Sequence, residues 1–261
     1  MKHTLLIINL RSLVVTSLAL LSTWICIRYD IKANFPITLL ITAVVFPVAF
    51  SIHSAYERRE RALQDYASLK TQGRALFYAT RDWLDESTAD SRDDLRLRLH
   101  ALLSRCVTLL SDPPERLDEN EQKVYDAFSD LSVYIREQQR GRGLAATEVS
   151  RANQYLNSML QAFESIKHIY QYRTPQTLKA FGSFFVMSMP PLYGPYFSYM
   201  SDSYFMGLQY VMPVMFAVIM TALVNIQEQL ENPFDQYGED DVRFNVDKYI
   251  ASLEHSGKKH V

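Results

Sequence analysis

The sequence predicts an all-α protein in which four transmembrane helices are continuous with a cytoplasmic helical bundle. Three observations support this fold class. Hydrophobic residues make up 48% of the 261 positions, yet they gather at the two ends of the chain and leave a polar middle. Only eight glycines occur, and the middle shows little of the alternation that is typical of β-strands. Apolar residues in the middle instead recur at spacings of three and four, as on one face of a helix.

The first two predicted spans lie near the start of the chain. Leu13–Ile27 contains no charged residue, and the mostly apolar stretch Leu5–Leu10 extends it backwards across Arg11 and Ser12. The combined stretch reaches the roughly 20 apolar residues that a bilayer requires. Phe35–Phe50 forms the second segment. A cleaved signal peptide is the alternative for the first segment, but no small-residue cleavage site is evident and the second segment follows almost at once.

The last two predicted spans follow the polar middle, at Leu178–Tyr199 and Phe205–Ile226. The third contains Pro190-Pro191 and Gly194-Pro195, and Pro47 interrupts the second. Such breaks leave backbone groups unpaired, which lipid tolerates only where protein or a water-filled cavity covers them. The proline positions therefore indicate interrupted helices around a polar interior.

Basic residues predict the orientation of the chain in the membrane. The only basic residues in the two short loops between spans are Arg28 and Lys32, while nearly all other basic residues fall in the middle and terminal regions. The positive-inside rule then places the middle and both termini in the cytoplasm. We expect a multi-pass protein of the plasma or inner membrane. The expected organisation is spans 1 and 2 in residues 1–53, a cytoplasmic helical region in 54–174, spans 3 and 4 in 175–228, and a cytoplasmic acidic turn and tail in 229–261.

The polar middle predicts consecutive amphipathic helices. Ser91-Arg-Asp-Asp94 has the spacing of a capping box at the start of one helix, and Pro113-Pro114 ends it. A charged break that contains glycine follows at Gln138–Gly143. We expect three stripes to form a core without binding a ligand: Leu95, Leu99, Leu102, Cys106 and Leu110; Val124, Phe128, Leu131 and Ile135; and Ala152, Leu156, Met159, Phe163 and Ile166.

Motifs of catalysis and metal binding are missing from the sequence. It contains no glycine-rich phosphate loop, no Gly-x-Ser-x-Gly and no His-Glu-x-x-His. The six histidines are scattered singly. Cys26 and Cys106 have no metal-ligand spacing and fall in different environments. A formal net charge of −2 does not indicate a nucleic-acid partner. We therefore expect no enzymatic activity and no cofactor.

Three short patches occur in the order of a known family: Phe50-Ser-Ile-His-Ser-Ala-Tyr56-Glu57-Arg58, Arg173-Thr-Pro175, and Gln229-Leu-Glu-Asn232-Pro233-Phe234. Together with the four-span layout, they resemble the bestrophin family of ion channels. In the first patch Phe50, Tyr56 and Arg58 match the family pattern. Glu57 replaces an aspartate, and Ser51 replaces an arginine. The third patch, directly after the last apolar run, is the most specific.

The resemblance implies that five subunits surround one axial pore and that the second span lines a narrow hydrophobic neck. By similarity, Phe46 and Phe50 point into this neck one helical turn apart, with Thr42 next on the same face. Aromatic edges carry partial positive charge and favour a dehydrating anion, and a ring of apolar side chains gates by dewetting. A second constriction at the cytoplasmic exit is implied near Leu144 and Thr147.

Some members of the family bind calcium beside the last span. Gln229 and Asn232 resemble the positions of its backbone ligands, and Asp240 and Asp241 resemble its acidic run. Calcium takes six to eight oxygen ligands, commonly several of them carboxylates, whereas Arg243 stands where a further carboxylate is expected. A solvated acidic turn is the alternative, and we favour it over a calcium site.

The predicted function is passive conduction of small anions such as chloride through a homopentamer in the lipid bilayer. A non-conducting membrane scaffold, whose cytoplasmic bundle recruits a partner, is the alternative from a different class. A cation-selective channel of the same fold is a third reading, which the acidic residues near the exit favour.

Overall fold

A computed structural model of the chain describes residues 9–84, 89–172, 175–201, 207–231, 234, 242 and 244–255. The described part is predominantly helical, which confirms the predicted all-α class. Its α-helices are α1 (Leu10–Arg28), α2 (Ile37–Asp82), α3 (Ala89–Ser111), α4 (Leu117–Arg142), α5 (Ala146–Gln171), α6 (Gln176–Leu192), α7 (Gly194–Met200), α8 (Leu208–Glu231) and α9 (Val246–His255). A short 3₁₀ turn, Pro114–Arg116, precedes α4.

Helix α2 is the longest described element, with 46 residues, and Pro47 lies inside it. The predicted interruption at this proline is therefore wrong. Proline removes one backbone hydrogen bond and crowds the carbonyl four residues earlier. Val44 and Val48, on either side of Pro47, are both buried in an apolar core. We infer that this packing holds the helix together across the proline. Helix α2 also continues without a break from Phe50 to Leu69.

Two described helices, α1 and α8, are long and apolar enough to cross a membrane, with mean hydropathies of 1.8 and 1.7. The predicted second span corresponds to the first part of α2. The predicted third span is divided between α6 and α7, and Tyr193 lies at the break. Irregularity in that segment is thereby confirmed, while the count of four spans stays a prediction.

Residues Met1–Glu57 and Arg173–Asn232 form one compact unit. Helix α1 packs against α6, α7 and α8, and α8 also packs against α6 and α7. The main core of this unit consists of Val44, Val48, Val186, Met189, Tyr193, Phe197, Met220 and Val224. A smaller cluster joins Val15 and Ala19 of α1 to Ala217 of α8.

Gly194 permits the close approach of α7 to α1. A Cβ atom at this position would overlap the side-chain oxygen of Ser22 and lie 3.0 Å from the Ser22 carbonyl carbon. The Ser22 hydroxyl donates a 2.6 Å hydrogen bond to the carbonyl oxygen of Pro191. Two helices that meet backbone to backbone in this way leave no room for a side chain between them. Glycine at position 194 is therefore required by packing.

Residues Arg58–Tyr172 and Pro233–Val261 form the second compact unit. Helix α4 packs against α3 and α5, and α9 packs against α3. The three predicted apolar stripes are part of its core, which confirms their assignment. Every stripe residue is buried except Leu156, which is partly buried against the same cluster. Helical spacing in the sequence was thus sufficient to identify the faces that pack together.

Two predicted boundaries in this unit need correction. The capping box at Ser91 is wrong, because Ser91 lies within α3 and its carbonyl accepts a 2.9 Å hydrogen bond from the Tyr134 hydroxyl. Pro113-Pro114 does follow the end of α3 as predicted. The glycine-containing break begins later than expected, since α4 continues to Arg142. The chain turns at Gly143, whose φ of +75° is the left-handed conformation common after a helix.

Candidate functional site

Helix α2 presents an exposed face that carries Thr42, Phe46 and Phe50. The three residues follow one another at intervals of four, which places them one above the other on a helix. Phe46 is 60% exposed and Phe50 is 56% exposed, although both are large apolar side chains. Val44 and Val48, on the opposite face, are buried in the core. Packing within the unit therefore fixes the rotation of α2 and turns the aromatic face outward.

The two phenyl rings on this face contact each other. Their centroids lie 4.6 Å apart and their planes are 89° apart, an edge-to-face arrangement. The Thr42 hydroxyl donates a 2.7 Å hydrogen bond to the carbonyl oxygen of Thr38, so its proton is already engaged within the helix. The exposed surface offers aromatic edges, whose partial charge is positive, and a hydroxyl oxygen. Such a surface can attract an anion that has lost part of its hydration shell.

The exposed face changes from apolar to polar one turn after Phe50. The His53 imidazole Nε2 lies 3.2 Å from the Glu57 carboxylate, and about two thirds of each side chain is exposed. Phe35–Ile52 contains no charged residue. The aromatic pair therefore stands at the polar end of a charge-free helical segment.

A buried hydrogen bond sets the orientation of α2 next to the aromatic pair. The Gln227 amide nitrogen of α8 donates to the Ser51 hydroxyl across 2.9 Å, and both side chains are buried. Ser51 is the position where the family pattern has an arginine. Because neighbouring residues project about 100° apart around a helix, burial of Ser51 leaves Phe50 directed away from α8.

Ion pairs connect the last turn of α8 to two other helices of the same unit. Arg11 of α1 contacts Glu228 at 2.7 Å. Lys179 of α6 contacts Glu231 at 2.6 Å, and the Glu231 side chain is nearly buried. A nearly buried carboxylate needs such a partner, because an unpaired charge is costly to remove from water. These pairs hold α1, α6 and α8 together at the C-terminal end of α8.

The chain was also compared with known proteins. No protein-family model matches the sequence, and no curated protein matches it. Solved structures, by contrast, match over nearly the whole chain. A crystal structure of a bacterial bestrophin homologue from Klebsiella pneumoniae covers 94% of this chain and 95% of its own, with a TM-score of 0.76 and 14% identity.

A variant of that homologue with a single substitution gives a TM-score of 0.77 at 15% identity, covering 94% of this chain and 97% of its own. A structure described as a membrane protein variant gives 0.78 at 14% identity, covering 95% and 97%. The chain has the bestrophin fold. The resemblance inferred from three short sequence patches is confirmed at the level of the fold, and identity this low shows the fold alone.

The bestrophin resemblance also implied an aperture at Leu144 and Thr147. Leu144 is only 7% exposed and belongs to the core of the second unit. Thr147, near the start of α5, is exposed. Of the two residues, Thr147 alone presents its side chain at the surface of the single chain, and the assignment of an aperture here stays a prediction.

The bestrophin calcium site was predicted at Gln229, Asn232, Asp240 and Asp241. Gln229 is exposed in the last turn of α8. Asn232, Asp240 and Asp241 lie outside the described residues. Within the ranges that the structure describes, no three His, Cys, Asp or Glu side chains form a group that could hold a metal ion. The two readings of this segment, calcium site and solvated acidic turn, both stay predictions.

Helix α8 ends at Glu231, directly before the Asn232-Pro233-Phe234 patch of the sequence. Phe234 is fully buried, and its ring contacts Tyr170 at 6.2 Å and stacks with Phe244 at 6.1 Å between centroids. Sequence reasoning had treated this phenylalanine only as a family marker. The Phe234 ring belongs to the core of the second unit.

Proposed function

We propose that this chain assembles as a homopentamer in the cell membrane and passively conducts small anions such as chloride. Phe46 and Phe50 line the neck of the proposed pore, and Thr42 forms its next ring. The observation that carries the proposal is the exposure of an aromatic pair on α2 in a chain with the bestrophin fold. Proteins with this fold include the bacterial bestrophin homologues.

A closed ring explains how such a face can serve a pore. In a cyclic assembly every subunit presents the same face to the common axis, and the ring closes without a free edge. The apolar residues exposed on α1, among them Leu13, Leu18 and Trp24, would contact lipid or a neighbouring subunit. In the proposed pentamer, the exposed apolar side chains of α1 contact lipid or a neighbouring subunit. The edge-to-face phenylalanine pair of α2 faces the pore axis.

Anion preference follows from the chemistry of the neck. Five copies of each phenylalanine would surround the ion with aromatic edges, which carry partial positive charge. An uncharged apolar constriction also requires an ion to shed water before it enters. We therefore expect weakly hydrated anions to pass more readily than strongly hydrated ones. A carboxylate ring in the neck would favour cations instead, but Phe35–Ile52 contains none.

The direct test is ion flux through the purified protein in liposomes, with reversal potentials recorded under a potassium chloride gradient. A reversal near the chloride potential would support the proposal. A reversal near the potassium potential would retain the pore but replace anion selectivity by cation selectivity. Absence of current, with and without calcium, would favour a non-conducting scaffold. A calcium-dependent current that depends on Asp240 and Asp241 would favour a calcium site over the solvated acidic turn.

The oligomeric state is tested separately by native mass spectrometry of the detergent-solubilised protein. A pentamer predicts a mass of five times the 30.2 kDa subunit. A monomer or dimer would contradict the proposed pore, because neither arrangement encloses an axis with several copies of α2.

The acidic tail and Thr147 are proposed to lie on the cytoplasmic side, which protease accessibility in inside-out vesicles would test.

A further inference from the structure

A groove between α2 and α9 contains three basic side chains. Both helices contribute to it from within the unit formed by Arg58–Tyr172 and Pro233–Val261. Its volume is about 490 Å³, and its lining includes Lys70, Thr71 and Arg74 from α2 and Lys248, Tyr249 and Ser252 from α9. This volume lies within the range of roughly 300–1,000 Å³ found for small-molecule sites.

Direct contacts hold the two walls of the groove together. The Tyr249 hydroxyl donates a 2.8 Å hydrogen bond to the carbonyl oxygen of Lys70. Gly73 makes this approach feasible, since a Cβ atom at that position would lie 2.9 Å from the Tyr249 hydroxyl oxygen. Burial raises the pKa of Tyr249, with the charge of Arg74 acting in the opposite direction. The hydroxyl therefore stays protonated at neutral pH and keeps its donor role.

The guanidinium of Arg74 is positioned by α9. Its Nη2 donates a 2.7 Å hydrogen bond to the Ser252 hydroxyl oxygen, and the group lies 5.7 Å from the centre of the Tyr249 ring. Ser252 in turn donates to the Tyr249 carbonyl oxygen across 2.6 Å. Arginine has five N–H donors in a planar fork. Ser252 engages one of these donors of Arg74. The other N–H groups of the guanidinium, which Ser252 holds in place, are available to a ligand.

The positive charge of the groove has no internal counterpart among the described residues. No carboxylate there forms an ion pair with Lys70, Arg74 or Lys248, and no carboxylate belongs to the lining. Asp247, the acidic residue adjacent to Lys248, instead contacts His100 of α3 at 3.0 Å. Among the described residues, the groove therefore carries positive charges only.

Lys70 shows the consequence of this crowding. Burial, followed by the neighbouring charge of Arg74, lowers the pKa of its ammonium group. The ammonium also lies 4.4 Å from the centre of the Tyr66 ring, an attractive contact that offsets part of the cost. An anion in the groove would remove the repulsion between the cations and stabilise their charged forms.

We propose that the groove between α2 and α9 binds a phosphate-bearing anion, held by the Arg74 fork and by the ammonium groups of Lys70 and Lys248. Three cations match an anion that carries two or more charges, whereas a single carboxylate would neutralise only one of them. Arginine binds phosphate in a bidentate manner, and lysine binds it as a point charge. The Thr71 and Ser252 hydroxyl protons are engaged by backbone carbonyls, so the cations supply the donors.

Calorimetric titration of the full chain in detergent with inorganic pyrophosphate tests this site. We expect saturable binding that weakens by about tenfold or more in Lys70→Gln/Arg74→Gln, because two charge-assisted contacts are lost. Raising the salt from about 0.05 M to about 0.5 M should weaken binding as well, since exposed charges are screened. The matched control is Lys123→Gln/Arg136→Gln, which removes the same charge from exposed positions of α4. It should bind like the unsubstituted chain.

A second variant separates the proposal from loss of folding. Ser252→Ala keeps all charges and removes the oxygen that fixes Arg74. It should weaken pyrophosphate binding by about threefold, the equivalent of one modest hydrogen bond, and should still unfold in a single cooperative transition. Equal affinity in the control, Ser252→Ala and Lys70→Gln/Arg74→Gln proteins would overturn the proposal.

The source of the phosphate group is assigned by a second arm of the experiment. Native mass spectrometry would count phosphatidic acid molecules retained by the detergent-solubilised protein. Retention that disappears in Lys70→Gln/Arg74→Gln assigns a lipid headgroup, while pyrophosphate binding without retained lipid assigns a soluble anion. Absence of both kinds of binding refutes the site. Because the readout is binding, the result is independent of the proposed ion conduction.

Discussion

The ammonium group of Lys167 donates a 2.6 Å hydrogen bond to the phenolic oxygen of Tyr125. The same ammonium contacts the carboxylates of Glu121 at 3.0 Å and Glu164 at 2.8 Å, and the Lys167 side chain is only 12% exposed. Tyr125 donates onward to Glu164 across 2.5 Å. One cation on α5 therefore neutralises two carboxylates and engages a phenol in the contact between α4 and α5.

Replacing this cation should destabilise the second unit. In Lys167→Met, Glu121 and Glu164 lose their shared partner in a partly buried site, and we expect the free energy of unfolding to fall by about 2 kcal/mol. The control Lys123→Met removes a 2.6 Å pair with Glu119 in which both side chains are more than half exposed. Its cost should be much smaller, because water screens such exposed pairs. Urea unfolding of the full chain, followed by circular dichroism, measures both. Equal losses would contradict the role assigned to burial.

Alkaline pH should destabilise the chain through the same network. Burial, and then the hydrogen bond to Glu164, raise the pKa of Tyr125 from its ordinary value of 10.0 to about 12. For Lys167, burial acts to lower the pKa, but hydrogen bonds to Glu164, Tyr125 and Glu121 outweigh it and the pKa is raised. A folded-state pKa above the unfolded one gives stability that is full below the unfolded pKa and is lost as pH rises through the folded one.

The stability of the chain should therefore start to fall near pH 10 and continue to fall towards pH 12. In Tyr125→Phe the loss of stability with rising pH should be less steep. The Tyr125 phenol loses its proton at lower pH in the unfolded chain than in the folded one, and the variant lacks this group. Tyr172→Phe is the control, because the Tyr172 side chain is exposed, and it should keep the full slope. Thermal unfolding across this pH range provides the measurement. An identical slope in Tyr125→Phe would show that the phenol does not contribute.

Alanine at Gly194 should disrupt the contact between α1 and α7. The added Cβ would overlap the Ser22 side chain and approach the Ser22 backbone, so the helices must separate at a cost of about 2 kcal/mol, as for other overpacked sites. Gly182→Ala is the matched control. Its Cβ would lie 3.2 Å from a methyl carbon of Val48, a contact that a small shift relieves. The unfolding temperature should fall clearly more for Gly194→Ala, and a similar fall in both variants would contradict the packing argument.

Alanine at Phe46 or Phe50 should alter ion permeation if these rings line the neck. Loss of an aromatic edge worth about 1 kcal/mol corresponds to roughly a fivefold change in the ratio of anion permeabilities. Phe184→Ala is the control, because Phe184 is an equally large and 67% exposed side chain on α6. Reversal potentials in mixed-anion gradients should shift for the α2 variants and stay constant for the control. Unchanged potentials in all three variants would remove Phe46 and Phe50 from the pore.

Local pattern predicted much of the fold but misplaced some boundaries. The stripe that contains Leu95 and Leu99 is buried as expected, because helical spacing alone brings such residues to one face. Ser91 and Pro47, in contrast, carry strong local signals for a helix start and a helix break, and both lie inside helices. At Pro47, the burial of Val44 and Val48 in the apolar core outweighed the local preference.

The sequence likewise predicted part of the candidate site, while other features of the site depend on packing. The spacing of Phe46 and Phe50 placed them on one helical face, but only the burial of Val48 and Ser51 shows that this face points away from the core. Leu144 is buried in the core of the second unit of the single chain, and its assignment to an aperture stays a prediction. A leucine beside a turn carries no local signal for its burial, since its neighbours in the core come from distant parts of the chain.

The sequence by itself determined that this protein is helical, where its apolar segments lie and which faces of its middle helices pack, because these properties depend on residues within a few turns of one another. Only the tertiary structure decided the rotation of α2, the need for glycine at position 194 and the basic groove. Arg74 and Ser252 are 178 positions apart and yet share a hydrogen bond. Such contacts are set by the docking of distant helices, which no local periodicity encodes.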